Sequence, residues 1–201
     1  MEILAKTLIN NAVMAAKAEM EMSKEAQLFH TKYEETDLVT QVFYDLYKKI
    51  FDQDPLFGTS IFTAPAASQC HQNYKGGWLE HSAKLALFLT NRINRGDLTM
   101  SKIQATRIAF LHDLCKINTY NFVGKEIITN QDLKKKHACY SLELCAKYDI
   151  QLTAIERVCI AAHMDGGFWS KEDEEYIAPQ EWYIFRKEIS ATQWADMKAC
   201  E

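Results

Sequence analysis

The sequence predicts an all-α protein built as a helical bundle, and three features support this prediction. Only seven glycines and three prolines occur among 201 residues, so few positions force a helix to end. Apolar residues recur at intervals of three and four along most of the chain, which is the period of an amphipathic helix. Signals for helix starts, such as Ser101 and the Thr153 and Glu156 pair, stand directly before such stretches.

The N-terminal quarter is predicted to form two helices. Residues 1–33 and 37–51 each carry apolar residues at helical spacing, with charged residues at the other positions. The apolar stripe of the first helix consists of Ile3, Leu4, Leu8, Ala12 and Ala15. Asp54-Pro55 then opens a stretch that is predicted to be irregular as far as Pro65, because it also contains Gly58.

The middle of the chain is predicted to contain two helices and a short irregular segment. A helix that carries His81 should begin directly after the break at Gly76-Gly77. Ser101 is the predicted N-cap of the next helix, which should reach about Ile117. Residues 118–131 contain a glycine and the β-prone run Ile-Ile-Thr, so a loop or a small hairpin is expected there.

Three more helices are predicted towards the C-terminus. The first covers residues 132–148, and the second follows the capping box at Thr153 and ends at Asp165-Gly166-Gly167. The third runs from Pro179, a residue that suits the first turn of a helix, to the end of the chain. Because no internal repeat or domain boundary is evident, residues 1–201 are predicted to form one domain.

Composition and charge narrow the class of protein. Hydrophobic residues make up 48% and charged residues 25%, as in ordinary globular proteins. The net charge of −4 argues against a protein that coats nucleic acid by charge alone. The six cysteines form no C-x-x-C pair, so reduced thiols and a cytoplasmic location are expected. No signal peptide or membrane-spanning run is evident, so no membrane partner is expected.

The pair His112-Asp113 is the first candidate for a functional site. It lies inside the apolar run from Ile108 to Leu114, where burying an uncompensated carboxylate costs several kcal/mol. A divalent cation compensates both residues, because imidazole nitrogens and carboxylate oxygens are suitable metal ligands. Neighbouring residues of a helix point about 100° apart, so such a metal would lie at the edge of the helix between them.

Four further residues can reach a common centre, because each lies on or beside a different helix. The successive separations along the chain are 31, 25, 26 and 33 residues, and each interval has room for a helix and a loop. An antiparallel bundle would return the chain to one region each time, which is how bundles build metal sites. The four residues are His81, His137, His163 and Asp196.

Three motifs resemble the HD superfamily of metal-dependent phosphohydrolases. They are Gly76-Gly77-Trp78-Leu79-Glu80-His81, His112-Asp113-Leu114-Cys115-Lys116 and Ala195-Asp196-Met197. The stretch Ala64-Pro65-Ala66-Ala67, with His71 before the double glycine, is similar to the HD domains of bacterial 3′-5′ exoribonucleases. The resemblance covers residues 60–199, on which the N-terminal helices of residues 1–52 would pack.

The resemblance implies an all-α HD fold with a metal held by His81, His112, Asp113 and Asp196. In dinuclear members two further histidines complete a second position, and His137 and His163 occupy the matching places. The Asp113 carboxylate would then bridge two ions, drawn from Mn, Mg, Ni, Co, Zn or Fe. Asp113 and Lys116 are the expected catalytic residues, since Lys116 would stabilise charge on phosphoryl oxygens.

Two other residues are candidates for binding the substrate, and three functions stay open. His71 precedes the double glycine, and Lys136 ends the Lys134-Lys135-Lys136 run directly before His137. The favoured function is phosphohydrolysis of a phosphate mono- or diester, such as a nucleotide, a cyclic nucleotide or an oligonucleotide end. The alternatives are a di-iron oxygenase with the same ligands, or a metal-binding regulatory module without turnover. The sequence leaves a homo-oligomer open.

Overall fold

Helices make up most of the residues that the computed structural model describes, which are 2–22, 33–69, 71–164 and 177–201. One antiparallel sheet of two strands, β1 (Tyr120–Val123) and β2 (Glu126–Thr129), accompanies them. The all-α prediction is therefore confirmed. In chain order the helices are α1 (Glu2–Met22), α2 (Tyr33–Gln53), α3 (Pro55–Ser60), α4 (Gly77–Asn94), α5 (Lys102–Leu111), α6 (Lys116–Thr119), α7 (Gln131–Lys135), α8 (His137–Lys147), α9 (Ala154–Ala161), α10 (Pro179–Ile184) and α11 (Arg186–Ala199).

Helix α4 lies at the centre and packs against α1, α2, α5 and α11. Every residue from Gly77 to Asn91 is buried, apart from the half-buried Glu80. The double glycine makes its start possible. Gly76 has a φ of 85°, which favours glycine, and a Cβ on Gly77 would lie 2.0 Å from the backbone oxygen of Gln72. The predicted break before His81 is therefore confirmed.

Two capping boxes fix the starts of α5 and α9. The Gln104 backbone N–H donates to Ser101 Oγ at 3.1 Å, and the Ser101 N–H donates to Gln104 Oε1 at 2.9 Å. Thr153 and Glu156 form the corresponding pair at α9. Each box satisfies N–H groups that the first helical turn leaves without partners. Both predicted starts are confirmed.

The apolar stripe predicted for α1 is not the face that α1 buries. Ile3 is 84% exposed, Leu4 61% and Leu8 38%, although all three have helical spacing. A second apolar stripe of α1 is buried against α2 and α4 instead. It consists of Ala5, Ile9, Val13, Ala16 and Met20. The described helix ends at Met22, and residues 23–32 lie outside the described ranges.

The stretch after Asp54 was predicted to be irregular, and this is wrong for Pro55–Ser60. Asp54 Oδ1 accepts a hydrogen bond from the Phe57 backbone N–H at 3.1 Å, which caps helix α3. Proline at the first position of a helix has no N–H that needs a partner. The Asp-Pro pair therefore separates α2, which ends at Gln53, from a new helix that starts at Pro55.

The helix predicted to reach Ile117 ends at Leu111, and a turn separates it from α6. Two donors hold the Asp113 carbonyl oxygen in this turn, namely Trp78 Nε1 at 2.8 Å and the Lys116 backbone N–H at 2.9 Å. The Leu114 N–H bonds back three residues, to Leu111 O. Because His112 and Asp113 lie in this turn and not within a helix, their side chains need not point about 100° apart.

Two more predicted helices are interrupted. Lys136, with φ of −102° and ψ of 20°, separates α7 from α8, so His137 is the first residue of α8. The last helix starts at Pro179 as predicted but breaks at Phe185. The predicted hairpin is confirmed, with Gly124 at a φ of 65° in its turn.

The remaining predictions about the described helices concern α9 and the membrane. Helix α9 ends at Ala161, so the prediction that it continues past His163 to Asp165-Gly166-Gly167 is wrong, and those last three residues lie outside the described ones. No helix in the described ranges combines the length and the apolar character needed to cross a membrane.

Candidate metal centre

Six residues predicted from the sequence meet at one buried point in the structure. The elements that supply them are α4, the turn after α5, the start of α8, the segment after α9, and α11. Their ligand atoms form two overlapping sets, in each of which the atoms lie within 4.8 Å of one another. The first set is His81, His112, Asp113 and Asp196, and the second is Asp113, His137 and His163.

We call His81, His112 and Asp196 the inner group, because all three come from elements that pack on or within the central core. His81 Nε2 lies 2.9 Å from Asp196 Oδ1, and His112 Nε2 lies 3.6 Å from the same oxygen. An ion with ligands about 2.1 Å away separates neighbouring ligand atoms by about 3 to 3.5 Å. The spacing of the inner group matches that separation.

We call His137 and His163 the outer group, and Asp113 links them to the inner group. Asp113 Oδ1 lies 2.6 Å from His137 Nε2 and 3.5 Å from His163 Nε2. Its other oxygen, Oδ2, lies 3.2 Å from His112 Nε2 and 3.9 Å from His81 Nε2. One carboxylate therefore presents a different oxygen to each group.

Backbone carbonyls orient two of the histidines. His112 Nδ1 donates to Ala109 O at 2.9 Å, and His163 Nδ1 donates to Ile160 O at 2.7 Å. Because a carbonyl only accepts, these bonds place a proton on Nδ1 and direct Nε2 towards the centre as the nitrogen that could bind an ion. This arrangement is typical of metal-ligating histidines.

Several buried polar atoms at the centre make no hydrogen bond to any residue that the structure describes. They include His112 Nε2, His163 Nε2, His81 Nδ1 and both oxygens of Asp113, although Asp113 has ion-pair partners. A buried polar atom without a partner costs about 1–3 kcal/mol, and a charged one costs more. A cation among them would satisfy the lone pairs that face the centre.

The charges at the centre hold the carboxylates in their ionised form. Burial raises the pKa of Asp113, but Lys116, His112 and His137 outweigh it and hold the pKa well below its usual range. Burial also raises the pKa of Asp196, but the nearby His112 and His81 outweigh this effect and hold the pKa well below its usual range. Both groups are therefore available as anionic ligands.

The histidines respond differently to their surroundings. Burial lowers the pKa of His81 and of His137. Burial acts in the same direction on His112, but the negative charges of Asp113 and Asp196 outweigh it and raise its pKa to about 10. A cation bound between these carboxylates would take the place of the His112 proton, since metal binding displaces protons from its ligands.

A cavity of about 560 Å³ opens beside the centre. Lys116, His137 and Asp196 line it, so the centre is accessible from this side. Lys134 and Lys135 also line it, whereas Lys136, the lysine predicted to bind substrate, is exposed and is not among the lining residues. Both lining lysines lie in the last turn of α7, where a positive charge is favourable.

His71 lies at the centre as well, on the cavity side. Its ring lies 5.2 Å from the His81 ring, and burial lowers its pKa to about 4. Cys200, which the sequence analysis did not select, lies 3.3 Å from His71 Nε2 through its sulphur. The sequence signal that could have identified Cys200 is its position four residues after Asp196, because residues four apart lie on the same face of a helix.

Cys115 is a second residue that the sequence analysis did not select. Its sulphur lies 3.6 Å from His137 Nδ1, on the side of the ring away from Asp113. Cys115 lies directly before Lys116 in the motif that begins at His112. Its position in the sequence does not indicate that it contacts His137 in the folded protein. Burial raises the pKa of its thiol to about 12, so it stays protonated.

Comparison with known proteins adds nothing to this geometry, because no family model, no curated protein and no solved structure matches the chain. The structure itself shows an all-α protein with a buried histidine and aspartate cluster. That cluster, formed by His81, His112, Asp113 and Asp196, can hold a metal ion.

Proposed function

We propose that this chain is a metal-dependent phosphohydrolase of the HD superfamily. Its substrate would be a phosphate mono- or diester, such as a nucleotide, a cyclic nucleotide or the end of an oligonucleotide. The observation that carries the proposal is the Asp113 carboxylate, whose two oxygens face two separate sets of histidines beside a cavity lined with lysines.

The donors fit one or two divalent ions. His81, His112, Asp113 and Asp196 would hold one ion, and Asp113, His137 and His163 would hold a second. Bound divalent ions supply Lewis acidity towards a phosphoryl oxygen and lower the pKa of a water molecule towards neutrality. Nitrogen and carboxylate donors suit Mn²⁺, Ni²⁺, Co²⁺, Zn²⁺ and Fe²⁺, while Mg²⁺ prefers oxygen.

Lys116 connects the centre to the cavity. Its ammonium pairs with Asp113 Oδ2 and is buried; burial lowers the pKa of Lys116, but the charges of Asp113 and Asp196 raise it above the ordinary value. The side chain is therefore a fixed positive charge that also lines the cavity. In a substrate complex it would donate to a phosphoryl oxygen and stabilise the charge that develops there.

The cavity has the size and charge that a phosphorylated small molecule requires. Its volume of about 560 Å³ lies within the usual range of ligand pockets, about 300–1,000 Å³. Lys134 and Lys135 add positive charge at its edge, while Ala66, Ala67 and Met164 contribute apolar surface. A phosphate near the centre and an apolar group further out would both find suitable neighbours.

Two other functions use the same ligand set. A di-iron oxygenase would need obligate iron and would consume oxygen, and a regulatory module would bind metal without turnover. Phosphohydrolysis is favoured over both because three lysines line the cavity beside the centre, and their positive charge would attract a phosphate group.

The test is turnover of bis-p-nitrophenyl phosphate by the full chain after metal removal and addition of each divalent ion in turn. We expect hydrolysis with at least one ion, and a loss of more than about 10³-fold in Asp113→Ala. Asp45→Ala, on the exposed side of α2, is the matched control and should keep full activity. Absence of turnover with every ion would contradict the proposal, and oxygen uptake that requires iron would favour the oxygenase.

A further inference from the structure

At the cavity side of the metal centre, His81 of the inner group meets a thiol and an imidazole that belong to neither ligand set described above, those of Cys200 and His71. Cys200 Sγ lies 3.3 Å from His71 Nε2, and a nitrogen of His81 lies within 4.8 Å of both atoms. Cys200 ends helix α11, and its thiol donates to the Asp196 carbonyl oxygen at 3.3 Å. His71 and Cys200 both line the cavity, so an ion can reach them.

The His81 ring differs from the other two fully buried histidines. His112 and His163 each donate Nδ1–H to a backbone carbonyl, whereas His81 Nδ1 has no hydrogen-bond partner among the described residues. His81 is fully buried, so bulk water cannot reach this nitrogen to form a hydrogen bond. A metal-ligating histidine normally has such a partner, and its absence points to another binding role for this ring.

We propose that Cys200, His71 and His81 form a third cation site, and that this site binds Zn²⁺. A thiolate with two imidazoles suits zinc, and tetrahedral bond lengths place sulphur and nitrogen about 3.6 Å apart. The observed 3.3 Å requires only a small movement. On binding, the Cys200 thiol releases its proton to solvent and the sulphur bonds to zinc, so the bond to the Asp196 carbonyl is lost.

A neutral imidazole offers only one nitrogen lone pair to a cation. Zinc on Nδ1 of His81 therefore leaves the ring proton on Nε2, which bonds to Asp196 Oδ1 at 2.9 Å and is the nitrogen that the inner group would use. Excess zinc should then weaken ion binding at the inner group. This consequence for activity rests on the proposed function, whereas the site itself does not.

The test uses Co²⁺ as a spectroscopic substitute for zinc, because a thiolate bound to cobalt gives an intense charge-transfer band in the near ultraviolet. The inner and outer groups contain only nitrogen and oxygen donors and give no such band. We expect the band in the full chain, and its loss on addition of Zn²⁺. Cys200→Ser and His71→Gln should both lose it, while Cys115→Ser, which changes the thiol beside His137, should keep it.

Two results would overturn the third site. One is a full chain without the band at saturating Co²⁺, and the other is a band that survives in Cys200→Ser. Neither result depends on turnover, so failure of the third site and failure of phosphohydrolysis can be distinguished. If hydrolysis is observed, inhibition by excess Zn²⁺ should be lost in Cys200→Ser, since this residue belongs to neither ligand set of the centre.

Discussion

The inner and outer groups share Asp113 but depend on different parts of the fold. His81 and Asp196 lie on α4 and α11, two long helices that pack against each other in the core. His137 is the first residue of α8, directly after the kink at Lys136, and His163 lies beyond the end of α9. His81 and Asp196 are therefore fixed by side-chain packing along whole helices, whereas His112, in the turn after α5, and both outer residues depend on the local geometry of helix ends.

This difference implies two unequal binding positions. With Asp113, the inner group offers four donors and the outer group three. Donors on rigid elements lose less freedom when an ion binds, so the inner ion should bind more tightly. The following predictions test this ranking.

The largest effect is expected from ligand substitutions that are matched in burial. His112 and His163 are both buried and both donate to a carbonyl, but they belong to different groups. A calorimetric titration with Mn²⁺ should show a tight and a weak step. His163→Gln should remove only the weak step. His112→Gln should weaken the tight step more than about 100-fold, because loss of a ligand should exceed the roughly 10- to 100-fold loss of affinity seen when only a partner of a ligand is changed. Equal loss of the tight step in both variants would contradict the ranking.

The second-largest effect is expected from Lys116, whose substitution should lower turnover but leave ion binding unchanged. Lys116 pairs with Oδ2, the oxygen of Asp113 that faces the inner group. Lys116→Met should reduce hydrolysis of bis-p-nitrophenyl phosphate about 100-fold, because a charge that stabilises phosphoryl oxygens is lost. The tight calorimetric step should remain. Lys48→Met, at the exposed surface of α2, is the control, and equal activity of both variants would remove Lys116 from the reaction.

A smaller effect should separate the outer group from the inner one. His137 Nδ1 contacts only the sulphur of Cys115 at 3.6 Å among the described hydrogen-bond partners, whereas His112 and His163 have carbonyl partners. Cys115→Val removes this contact and should weaken the second calorimetric step about tenfold, leaving the first unchanged. Cys115→Ser keeps a polar partner and should restore the step. A change in the first step would show that Cys115 acts through Asp113 instead.

The smallest effect compares the two capping boxes. Ser101 starts the helix before His112, and Thr153 starts the helix before His163. Alanine at either cap should cost about 1 kcal/mol and lower the melting temperature by about 2–4 °C. Because His81 and Asp196 hold the inner position from two other helices, Ser101→Ala should leave the first titration step unchanged, whereas Thr153→Ala should weaken the second step, for which only Asp113 and His137 remain. The reverse pattern would contradict this comparison.

The sequence predicted those parts of the molecule that depend on neighbouring residues. The double glycine before His81, both capping boxes and the hairpin at Gly124 each follow from a short local pattern, and the structure confirms them. Convergence of the six residues at the centre also followed from local helices, because short connections return a bundle to the same region.

The remainder depends on contacts between distant residues. Helix α1 has two apolar stripes, and only the approach of α2 and α4 selects the one with Ile9 and Val13. Helix α5 ends at Leu111, before His112, and Trp78, 35 residues before Asp113 in the chain, holds the following turn by donating to the Asp113 carbonyl. The role of Cys200 required knowing where His71 lies in space.

The hydrogen bond from Trp78 to the Asp113 carbonyl gives the molecule an internal optical reporter. The indole is completely buried against Phe110, and its N–H is bonded to the residue that joins the two ion positions. A change in the charge near the Asp113 side chain therefore acts on the indole through the backbone carbonyl of the same residue. We therefore expect the emission of Trp78, one of four tryptophans in the chain, to change when an ion binds at the centre.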